Sequence, residues 1–591
     1  MINNAAFLDV EKSVSGKRWE LRIANDRETL ALSQRFSIPD PVARVLAGRG
    51  VGLDDAHDYL EPSIKNQLPD PSHLRDMDGA VDHIVKALQN DEKIAVFGDY
   101  DVDGATSSAL LNRFFKMAGV EISVYIPDRI AEGYGPNLPA LKKLLNQGIK
   151  TVITVDCGTT AFDVLAGAKD AGLHMIVIDH HVAEPQLPDV LALVNPNRLD
   201  DDSIHGNLAA VGVAFLFAVA LNRAFKAAGV YTNRRPPDLL SLLDLVALGT
   251  VCDVVPLKGV NRALVAQGLK VMSKRMNVGI NALSDVAGID EMPTAYHMGF
   301  QIGPRLNAGG RVGEAALGSR ILSTDDPNEA KQIALHLDQL NQERKEIELR
   351  CLDDAIEQVE NANMHDGLVY AAAEGWHPGV IGIVASRLKE RYNRPACVVA
   401  FENGLGKGSG RSIDGVDLGA AVIAASQAGL LENGGGHKMA AGFSVSEANS
   451  EAFHAYLANR IGDEVGQAGI VPRLSLDGAV SVGGANIDLV QALEKLAPFG
   501  AGNATPRFAL THVRVGDSAL VGTDHVRCRL SGEGGGSLKG IAFRCADQPL
   551  GDLLLSAKGG MPIHVVGRLQ LDTWQGRDNV QIIIDDAAPA I

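Results

Sequence analysis

The stretch KIAVFGDYDVDGATSS, residues 93–108, places three carboxylates directly after a short apolar run. Residues 93–97 have the composition of a buried strand, and Gly104 opens a segment whose apolar residues recur at helical spacing. Asp99, Asp101 and Asp103 therefore occupy alternate positions just after a strand ends. Like charges this close repel one another unless a cation neutralises them. A solvated acidic turn is the alternative, and the rest of the chain has to decide between the two.

The chain continues as an alternation of short strands and longer helices. Runs rich in Val and Ile at residues 122–127, 150–155 and 174–178 are separated by segments with apolar residues at helical spacing. This alternation is typical of a parallel sheet that is covered by helices on both faces. The nearly all-apolar stretch 208–225 approaches the length of a membrane span, but its polar flanks predict a buried core helix.

Two further patterns follow. Residues 326–363 predict one long, charged helix that bridges two domains. A second α/β pattern comes after it and contains the glycine-rich segments 406–412 and 433–442. From about residue 470, short strands separated by glycine and polar turns predict a small β-barrel. The predicted fold class is α/β, with two α/β domains joined by a long helix and a C-terminal OB-like β-barrel.

The composition limits the class of protein. With 591 residues the chain is too long for one core, and two to four domains are expected. Six scattered cysteines without a CxxC pair fit a reducing cytoplasm and argue against a zinc site or a disulfide framework built on them. The N-terminus lacks the pattern of a signal peptide. The net charge of −17 argues against a basic DNA coat protein but is compatible with a nuclease whose groove is locally basic.

Three consecutive predicted strands end in candidate metal ligands, and a predicted buried helix ends in another. In chain order the sets are Asp99 with Asp101 and Asp103, then Asp156, then Asp179 with His180 and His181, and last Asp253. Parallel strands bring their carboxyl ends to one edge of the sheet, where open α/β folds bind ligands. Each acid alone is better explained as a surface charge or a helix cap, but four segments with corresponding placement favour one shared site. Carboxylates with one or two imidazoles favour Mn²⁺ or Mg²⁺, and two ions bridged by Asp156 would suit a phosphoryl displacement.

Several motifs carry a resemblance to a known family. Four of them, in this order, resemble the motifs of the DHH phosphoesterase superfamily: DYDVDG (99–104), VDCG (155–158), DHH (179–181) and CDVVP (252–256). Two later segments resemble its DHHA1 domain: GSGRS (408–412) and GGGHKMAAG (434–442). Three more resemble the RecJ family of single-strand-specific 5′→3′ DNA exonucleases: FQIGPRLNAGGRVG (300–313), LNQERKEIE (340–348) and LAPFGAGNATPRF (496–508). The resemblance runs from about residue 70 to the end of the chain.

The resemblance implies an order of domains along the chain. It comprises a DHH catalytic domain (76–325), a bridging helix (326–363), a DHHA1 domain (364–465) and a nucleic-acid-binding OB fold (466–591). The polar, proline-containing residues before them predict an N-terminal lead-in or cap of short helices (1–75). A barrel that serves only as a scaffold is the alternative for the OB fold. The nucleic-acid-binding role is expected because OB folds commonly bind single-stranded nucleic acid.

The resemblance also implies roles for the residues of the DHH motifs. It assigns the two metal ions, Mn²⁺ or Mg²⁺, to Asp101, Asp103, Asp156, His180 and Asp253, with Asp99 as an extra ligand. His181, together with Asp179, is implied in catalysis, where His181 contacts the scissile phosphate or transfers a proton. The alternative is that His181 only holds Asp179 or a ligand in place. Pyrophosphatases of the superfamily have a histidine where this chain has Phe97, so a pyrophosphatase-like metal shell is not expected.

A second set of residues is implied in substrate binding. It consists of Arg129, Arg305, Asn307, Arg311, Ser409, Arg411, Ser412 and His437. The arginines are predicted to lie on loops rich in Gly and Pro, where the backbone approaches phosphate closely and Arg binds its oxygens in bidentate fashion. By resemblance they line a cleft between the two domains, some of them at a terminal 5′ phosphate. An ordinary salt bridge is the alternative for each arginine, and a tight turn before a helix is the alternative for the segment around His437. Tyr134 is expected either to stack on a base of the substrate or to pack against neighbouring side chains of the protein.

The function implied is a metal-dependent exonuclease that degrades single-stranded DNA 5′→3′ to mononucleotides in recombination and in mismatch and excision repair. Its expected partners are single-stranded DNA, a single-strand-binding protein and a RecQ-type helicase; a membrane partner is not expected, and the chain is expected to be a cytoplasmic monomer. One alternative is a DHH phosphodiesterase acting on short oligonucleotides, cyclic dinucleotides or pyrophosphate. Another is a non-catalytic binding module, which the complete set of acids disfavours.

Overall fold

The computed structural model describes residues 5–129, 131–361, 367–468, 471–572 and 579–590. The chain forms two compact units. The first comprises residues up to Gly303, Gly318–Lys331 and the chain from Arg473 onward, and the second comprises Pro304–Leu317 and Gln332–Pro472. Each unit is therefore assembled from segments that are distant in sequence.

The first unit opens with one strand and four helices. They are β1 (Arg18–Leu21), α1 (Asp26–Phe36), α2 (Asp40–Gly48), α3 (Ala56–Leu60) and α4 (Ile64–Gln67). The sequence predicts only short helices in this segment, so β1 is an addition. It pairs in parallel with residues 473–476, and the buried Trp19 on it donates a hydrogen bond from Nε1 to Asp586 Oδ2 at 2.9 Å. The N-terminal segment is thus fixed to the C-terminal part of the same unit.

A parallel sheet with helices on both faces follows. Its elements are α5 (Met77–Gln89), β2 (Lys93–Gly98), α6 (Val102–Ala118), β3 (Ser123–Tyr125), α7 (Leu138–Asn146), β4 (Ile149–Val155), α8 (Phe162–Asp170), β5 (His174–Ile178) and β6 (Ala192–Val194). All pairings are parallel, in the order β3-β2-β4-β5-β6. Most residues of β2, β4 and β5 are buried, as expected for strands covered on both faces. The predicted sheet is confirmed.

Six helices complete the part of the chain between the sheet and the long helix. They are α9 (Ala210–Ala227), α10 (Leu243–Cys252), α11 (Gly259–Met272), α12 (Val278–Val286), α13 (Gly303–Val312) and α14 (Ala316–Ser323), with a π-helical turn at His297–Ile302 before α13. Among the described residues, only α9 has the length and apolar composition of a membrane span, and 61% of it is buried inside the fold. It packs against α5, α6 and α10, as the prediction of a core helix requires.

The second unit has its own mixed sheet. Its elements are α15 (Pro327–Asn361), β7 (Val369–Glu374), α16 (Ile381–Tyr392), β8 (Ala396–Glu402), β9 (Leu405–Arg411), α17 (Leu418–Gln427), β10 (Asn433–His437), β11 (Ala440–Ser446) and α18 (Glu447–Ala468). The strand order is β10-β11-β9-β8-β7, and only β7 and β8 pair in parallel. The long helix α15 begins in the first unit and continues into the second after Lys331, in agreement with the predicted bridging helix.

The glycine-rich segments of this unit are strands. The segment around His437 forms the β10–β11 hairpin, so the alternative of a tight turn before a helix is wrong. Close packing requires glycine on the neighbouring strand: a Cβ atom on Gly408 would lie 2.0 Å from the ring of Phe443. The glycines in these segments therefore allow large side chains to pack closely against a strand, and they do not mark a loop.

The C-terminal elements form the predicted barrel. They are β12 (Arg473–Leu476), β13 (Gly478–Ala479), α19 (Ile487–Glu494), β14 (Phe508–Val521), β15 (His525–Ser531), β16 (Ser537–Ala542), α20 (Pro549–Ser556), β17 (Ile563–Asp572) and β18 (Asn579–Pro589). The sheet runs β13-β14-β15-β16-β18-β17, and β14 also pairs with β17. The five strands β14 to β18 therefore close on themselves, with the strand order and the helix after the third strand that an OB fold requires.

Candidate metal centre

Acidic side chains from four segments meet at the carboxyl edge of the parallel sheet. The imidazole Nε2 of His180 lies 3.3 Å from Asp156 Oδ1, 3.7 Å from Asp253 Oδ2 and 3.9 Å from Asp103 Oδ2. Ligand atoms of Asp99 and Asp101 lie within 4.8 Å of each other and of Asp156. The structure thus brings together every metal ligand that the sequence predicts.

The junction between β2 and α6 presents the first carboxylates. Asp101 is the N-cap of α6, and its Oδ1 accepts hydrogen bonds from the backbone N–H groups of Asp103 and Gly104 at 2.9 and 3.1 Å. These bonds satisfy two of the helix's free N–H groups. A Cβ atom on Gly104 would lie 2.4 Å from the carbonyl oxygen of Asp99, so glycine lets the helix begin this close to the strand. The second carboxylate oxygen of Asp101 remains for another ligand.

Two long helices hold the next pair of acids. Asp103 accepts hydrogen bonds from the N–H groups of Ala210 and Val211 at the start of α9, at 2.6 and 2.9 Å. It therefore acts as a helix cap as well as a member of the acidic cluster. Asp253 follows the last residue of α10. A Cβ atom on Gly249 would lie 2.9 Å from Asp103 Oδ1, so this glycine allows α10 to approach the cluster.

The electrostatics of the cluster favour a cation among the carboxylates. Burial, followed by repulsion from Asp101, raises the pKa of Asp99 to about 8 and the pKa of Asp253 to about 7. Burial first, and neighbouring carboxylates second, also raise the pKa values of Asp103 and Asp156 well above the usual range. Such groups are stable as anions only when a cation lies among them.

Unsatisfied polar atoms indicate the same. Asp99 Oδ1, His180 Nε2 and Asp253 Oδ2 are buried and have no hydrogen-bond partner. Leaving such atoms unpaired costs roughly 1–3 kcal/mol each. Burial, and then the neighbouring His181, lower the pKa of His180 to about 4, so its imidazole is neutral and can donate a lone pair to a metal. The donor set therefore fits Mn²⁺ or Mg²⁺, with Asp156 and His180 shared between groups of ligand atoms.

His181 has a different environment from its neighbour. Its Nδ1 lies 2.7 Å from Asp179 Oδ1, and its Nε2 lies 3.4 Å from the Tyr134 hydroxyl. Burial alone would lower the pKa of His181. The hydrogen bond with Asp179, the charge of that carboxylate and the charges of Asp253 and Asp101 together outweigh burial and raise the pKa to about 9. Burial alone would raise the pKa of Asp179, yet the hydrogen bonds from His181 and Thr159 hold it below its usual range. The pair is therefore an imidazolium bound to a buried carboxylate.

A layer of polar residues behind this pair was missed by the sequence reasoning. Asn195 Nδ2 donates to Thr159 Oγ1 at 2.9 Å and to the carbonyl oxygen of His181 at 2.8 Å, and Asn197 Nδ2 donates to the carbonyl oxygen of His180 at 2.6 Å. Both asparagines follow β6, at the same edge of the sheet as the acids. The signal that could have revealed them is the segment VNPN, residues 194–197, at the end of the fifth short strand of the sheet.

Two predicted residues flank the cluster in the first unit. The Tyr134 hydroxyl donates to the carbonyl oxygen of Asp156 at 3.2 Å, while 55% of its side chain is exposed. The Arg129 guanidinium lies 5.1 Å from the ring centroid of Tyr100 and attracts the carboxylate of Asp99. Arg129 therefore places a positive charge close to the acids.

The remaining predicted substrate residues belong to the second unit, and the three arginines among them do not lie on loops as predicted. Arg411 is the last residue of strand β9. Arg305, Asn307 and Arg311 are all in α13. Close packing explains a glycine within this helix: a Cβ atom on Gly309 would lie 2.8 Å from the carbonyl oxygen of Glu314 and 3.3 Å from Leu337 of α15. Arg305 Nε donates to Asp338 Oδ1 at 2.9 Å, which is the ordinary salt bridge kept as an alternative.

The side chains of Ser409 and Arg411, both on strand β9, lie against the start of helix α16. A Cβ atom on Gly382 would lie 3.1 Å from both Arg411 Nη2 and Ser409 Oγ. Arg311 Nη1 donates to the carbonyl oxygen of Gly379 at 2.9 Å, two residues before the helix begins. The structure thus brings Arg311, Ser409 and Arg411 to one helix N-terminus.

Ser412 and His437, the last two predicted contacts, differ in exposure. Ser412 is buried, and its hydroxyl donates to the carbonyl oxygen of Val416 at 2.9 Å, a bond within the loop after β9. His437 is exposed at the end of β10.

Family models match three parts of the chain. They are the DHH family N-terminal domain at residues 93–250, the DHHA1 domain at residues 365–463 and the RecJ OB domain at residues 476–586. The matches follow the sheet that holds the acids, the mixed sheet and the barrel.

Whole-chain comparisons agree. The chain is 36% identical to the single-stranded-DNA-specific exonuclease RecJ of Salmonella typhimurium, over 93% of this chain and 96% of that protein. It is 32% identical to the Bacillus subtilis protein of the same description, over 97% of this chain and 71% of that one. The crystal structure of RecJ in complex with Mn²⁺ from Thermus thermophilus superposes with a TM-score of 0.81 at 29% identity, covering 97% of this chain and 80% of that one. The chain therefore belongs to the RecJ family of single-stranded-DNA-specific exonucleases.

Proposed function

We propose that this protein is a metal-dependent exonuclease that degrades single-stranded DNA from the 5′ end to mononucleotides. The observation that carries the proposal is the cluster of buried carboxylates around the neutral imidazole of His180. Divalent cations among these carboxylates would balance their charge, and the relatives include RecJ structures with Mn²⁺ and with Mg²⁺. When bound, two such ions activate water and stabilise the leaving oxygen of a phosphodiester.

The chain's own residues would supply the other steps. Asp101, Asp103, Asp156, His180 and Asp253 would hold the ions, with Asp99 as a further ligand. His181, positively charged through its bond with Asp179, would contact the scissile phosphate or donate a proton to the leaving oxygen. Asp179 keeps the imidazole in one orientation, so its role is positioning.

The direction of degradation is proposed from the resemblance together with the second unit's cluster at α16. Helix N-termini bind phosphate through free N–H groups and the helix dipole. Arg411 and Ser409 lie there, and the absence of a side chain at Gly382 lets both approach the start of the helix. A terminal phosphate carries more charge than an internal phosphodiester, so it gains more from these charge-assisted bonds, worth roughly 1.5–3 kcal/mol each.

The barrel is proposed to hold the single strand. On β15 the exposed Arg527 and Arg529 alternate with buried residues, and Lys539 is exposed opposite Arg529 on β16. Beside them the half-exposed ring of Phe543 lies 5.1 Å from that of His525, edge to face. The second and third strands of an OB fold form its usual binding face, and basic groups with aromatic rings are what a single strand requires.

The wider role follows from the family and is part of the proposal. The enzyme would act as a cytoplasmic monomer in recombination and in mismatch and excision repair, with a single-strand-binding protein and a RecQ-type helicase supplying its substrate. The domain order given by the sequence, with residues 1–75 as the lead-in, is proposed on the same basis.

One experiment tests the proposal. Single strands labelled at the 5′ or the 3′ end are incubated with the protein in Mn²⁺, in Mg²⁺ and in EDTA, beside a duplex and a cyclic dinucleotide. We expect mononucleotide release from the 5′ end of the single strand in either metal and none in EDTA. Early loss of a 3′ label would contradict the direction. A preference for the cyclic dinucleotide would favour the alternative, a DHH phosphodiesterase of small substrates.

A further inference from the structure

A second cluster of potential metal ligands lies at the opposite end of the parallel sheet from the acids. It consists of His83 on α5, Glu92 in the connection from α5 to β2, and His174, the first residue of β5. Ligand atoms of these three residues lie within 4.8 Å of one another. The function proposed above uses none of them.

The two imidazoles are held by specific contacts. His83 Nε2 lies 2.9 Å from the hydroxyl of Thr151, and the rings of His83 and His174 meet edge to face with centroids 4.8 Å apart. Thr151 and His174 are register partners on β4 and β5. When Nε2 of His83 donates its hydrogen to Thr151, the lone pair of Nδ1 is free. Metal-binding histidines are commonly oriented by such a bond from the other ring nitrogen.

The carboxylate of Glu92 has an unsatisfied oxygen. Its Oε2 is buried and has no hydrogen-bond partner, while Asn90 Nδ2 donates to Oε1 at 3.5 Å. Burial, and then repulsion from His174, lower the pKa of His83, so that imidazole is neutral at pH 7. One anionic oxygen without a partner therefore lies beside a neutral imidazole that can donate a lone pair.

We propose that His83, Glu92 and His174 bind one Zn²⁺ ion, with water at the fourth position. Two imidazoles and one carboxylate are a donor set that zinc accepts in tetrahedral geometry, whereas the carboxylate-rich centre at the other edge suits Mn²⁺ or Mg²⁺. Bonds of about 2.1 Å would place the donor atoms about 3.4 Å apart. The ligand atoms already lie within 4.8 Å of one another, so small side-chain movements would complete the site. His174 is exposed, which gives the ion a route from solvent.

The position of the site defines what zinc would do. Thr151 and Asp156 are five residues apart along β4 and its end, or about 16 Å at 3.3 Å per residue. The ion is too far away to contact a phosphodiester at the acids. It would instead join α5, the turn into β2 and the start of β5, and so stabilise the sheet that supports the catalytic edge.

Zinc binding to the full-length protein tests the proposal. The protein is held in excess Mn²⁺, equilibrated with Zn²⁺, and its bound zinc is measured by mass spectrometry after gel filtration. Wild type should bind one equivalent more than His83→Gln or His174→Gln. Asp156→Asn, altered at the other edge, and His336→Gln, an exposed histidine of α15, should both keep that equivalent. Thr151→Val should weaken zinc binding roughly 10- to 100-fold by removing the orienting hydroxyl.

A second readout separates this site from the acids. Co²⁺ in the zinc site should give the strong visible absorption of low-coordinate geometry, and His174→Gln should lose it. His174 is exposed, so its replacement leaves the core unchanged and the test does not depend on a fragile variant. Zinc binding that is equal in wild type and both glutamine variants would overturn the proposal. So would loss of all zinc in Asp156→Asn, because zinc would then occupy only the acidic centre.

Discussion

Asp156 is the residue on which the candidate centre depends. Its backbone has φ of 61°, a left-handed conformation that is uncommon for residues other than glycine and that asparagine and aspartate tolerate best. The conformation turns the carboxylate from the end of β4 into the cluster, where it belongs to two groups of potential ligand atoms. Strain held at such a point is typical of functional sites.

Asp156→Asn should remove metal binding and activity while the fold remains. Asparagine keeps the size and tolerates the backbone, but it lacks the charge that balances the ions. We expect hydrolysis of single strands to fall by at least about 10²- to 10³-fold, as when a group that stabilises transition-state charge is lost. Mn²⁺ binding by calorimetry, circular dichroism and rate measurement check this. Undiminished activity in Mn²⁺ would show that Asp156 is not a ligand.

His181→Asn should separate catalysis from metal binding. His181 Nδ1 lies 4.0 Å from Asp156 Oδ1, compared with 3.3 Å for His180 Nε2, and it is paired with Asp179. Its loss should therefore lower kcat by about 10²- to 10⁴-fold, the range for a general acid. The affinity for Mn²⁺ should change little. The same titration on His180→Asn, which removes a neutral ligand, is the comparison and should show weaker binding. If His181→Asn also loses the metal, His181 is a ligand and not a proton donor.

At the scale of helices and strands, the sequence predicted those elements whose own residues have a clear pattern. The strands β2, β4 and β5 are continuous apolar runs, and their carboxyl ends meet by the rule for parallel sheets, so the acids could be placed in one site. The α13 helix could not be recognised, because NAGGR at residues 307–311 has the composition of a loop. Tertiary packing determines that this segment is helical. Its glycines allow close contact with α15, and this contact overrides their low helix propensity.

Gly249→Ala tests how the approach of α10 shapes the site. The new methyl group would lie 2.3 Å from Thr106 Oγ1 and 2.9 Å from Asp103 Oδ1, so α10 or Asp103 must move. We expect a loss of about 1–3 kcal/mol in the free energy of unfolding, the usual cost of overpacking, together with weaker Mn²⁺ binding. Denaturant unfolding and metal titration measure the two effects.

The control is Gly79→Ala, another glycine within a helix. A methyl group there would meet no atom within 4 Å, so the variant should be neutral or up to about 1 kcal/mol more stable. Equal behaviour of the two variants would mean that α10 has room to adjust and that its close approach does not determine the position of Asp103.

At the scale of the whole chain, the pairing of distant segments was beyond prediction. Residues of α1, α2 and α3 share one hydrophobic cluster with the barrel strands, and β1 pairs with β12 across more than 450 positions. No periodicity within either segment indicates its partner. One consequence is practical: truncation after residue 470 would expose Trp19 and that cluster, so the role of the barrel must be tested by surface substitutions.

Arg527→Glu with Arg529→Glu is the test of the barrel. Both side chains are exposed on β15, so the fold should persist, while two favourable phosphate interactions become repulsive. Binding of long single strands should weaken strongly, and the slope of log affinity against log salt should fall by about one for each phosphate-binding side chain that is replaced. Hydrolysis of very short oligonucleotides should change little, because the acids and the residues around them are unaltered.

The matched control is Lys142→Glu with Lys150→Glu, which makes the same change in net charge on exposed positions of α7 and β4. Both double variants and wild type are compared at several salt concentrations, on a long strand and on a short oligonucleotide. If the control weakens long-strand binding as much as the barrel variant, net charge and not the β15 surface governs affinity. If the barrel variant slows both substrates equally, the barrel acts on the catalytic unit as a whole, because a surface that only holds the strand beyond the reacting end cannot affect a substrate too short to reach it.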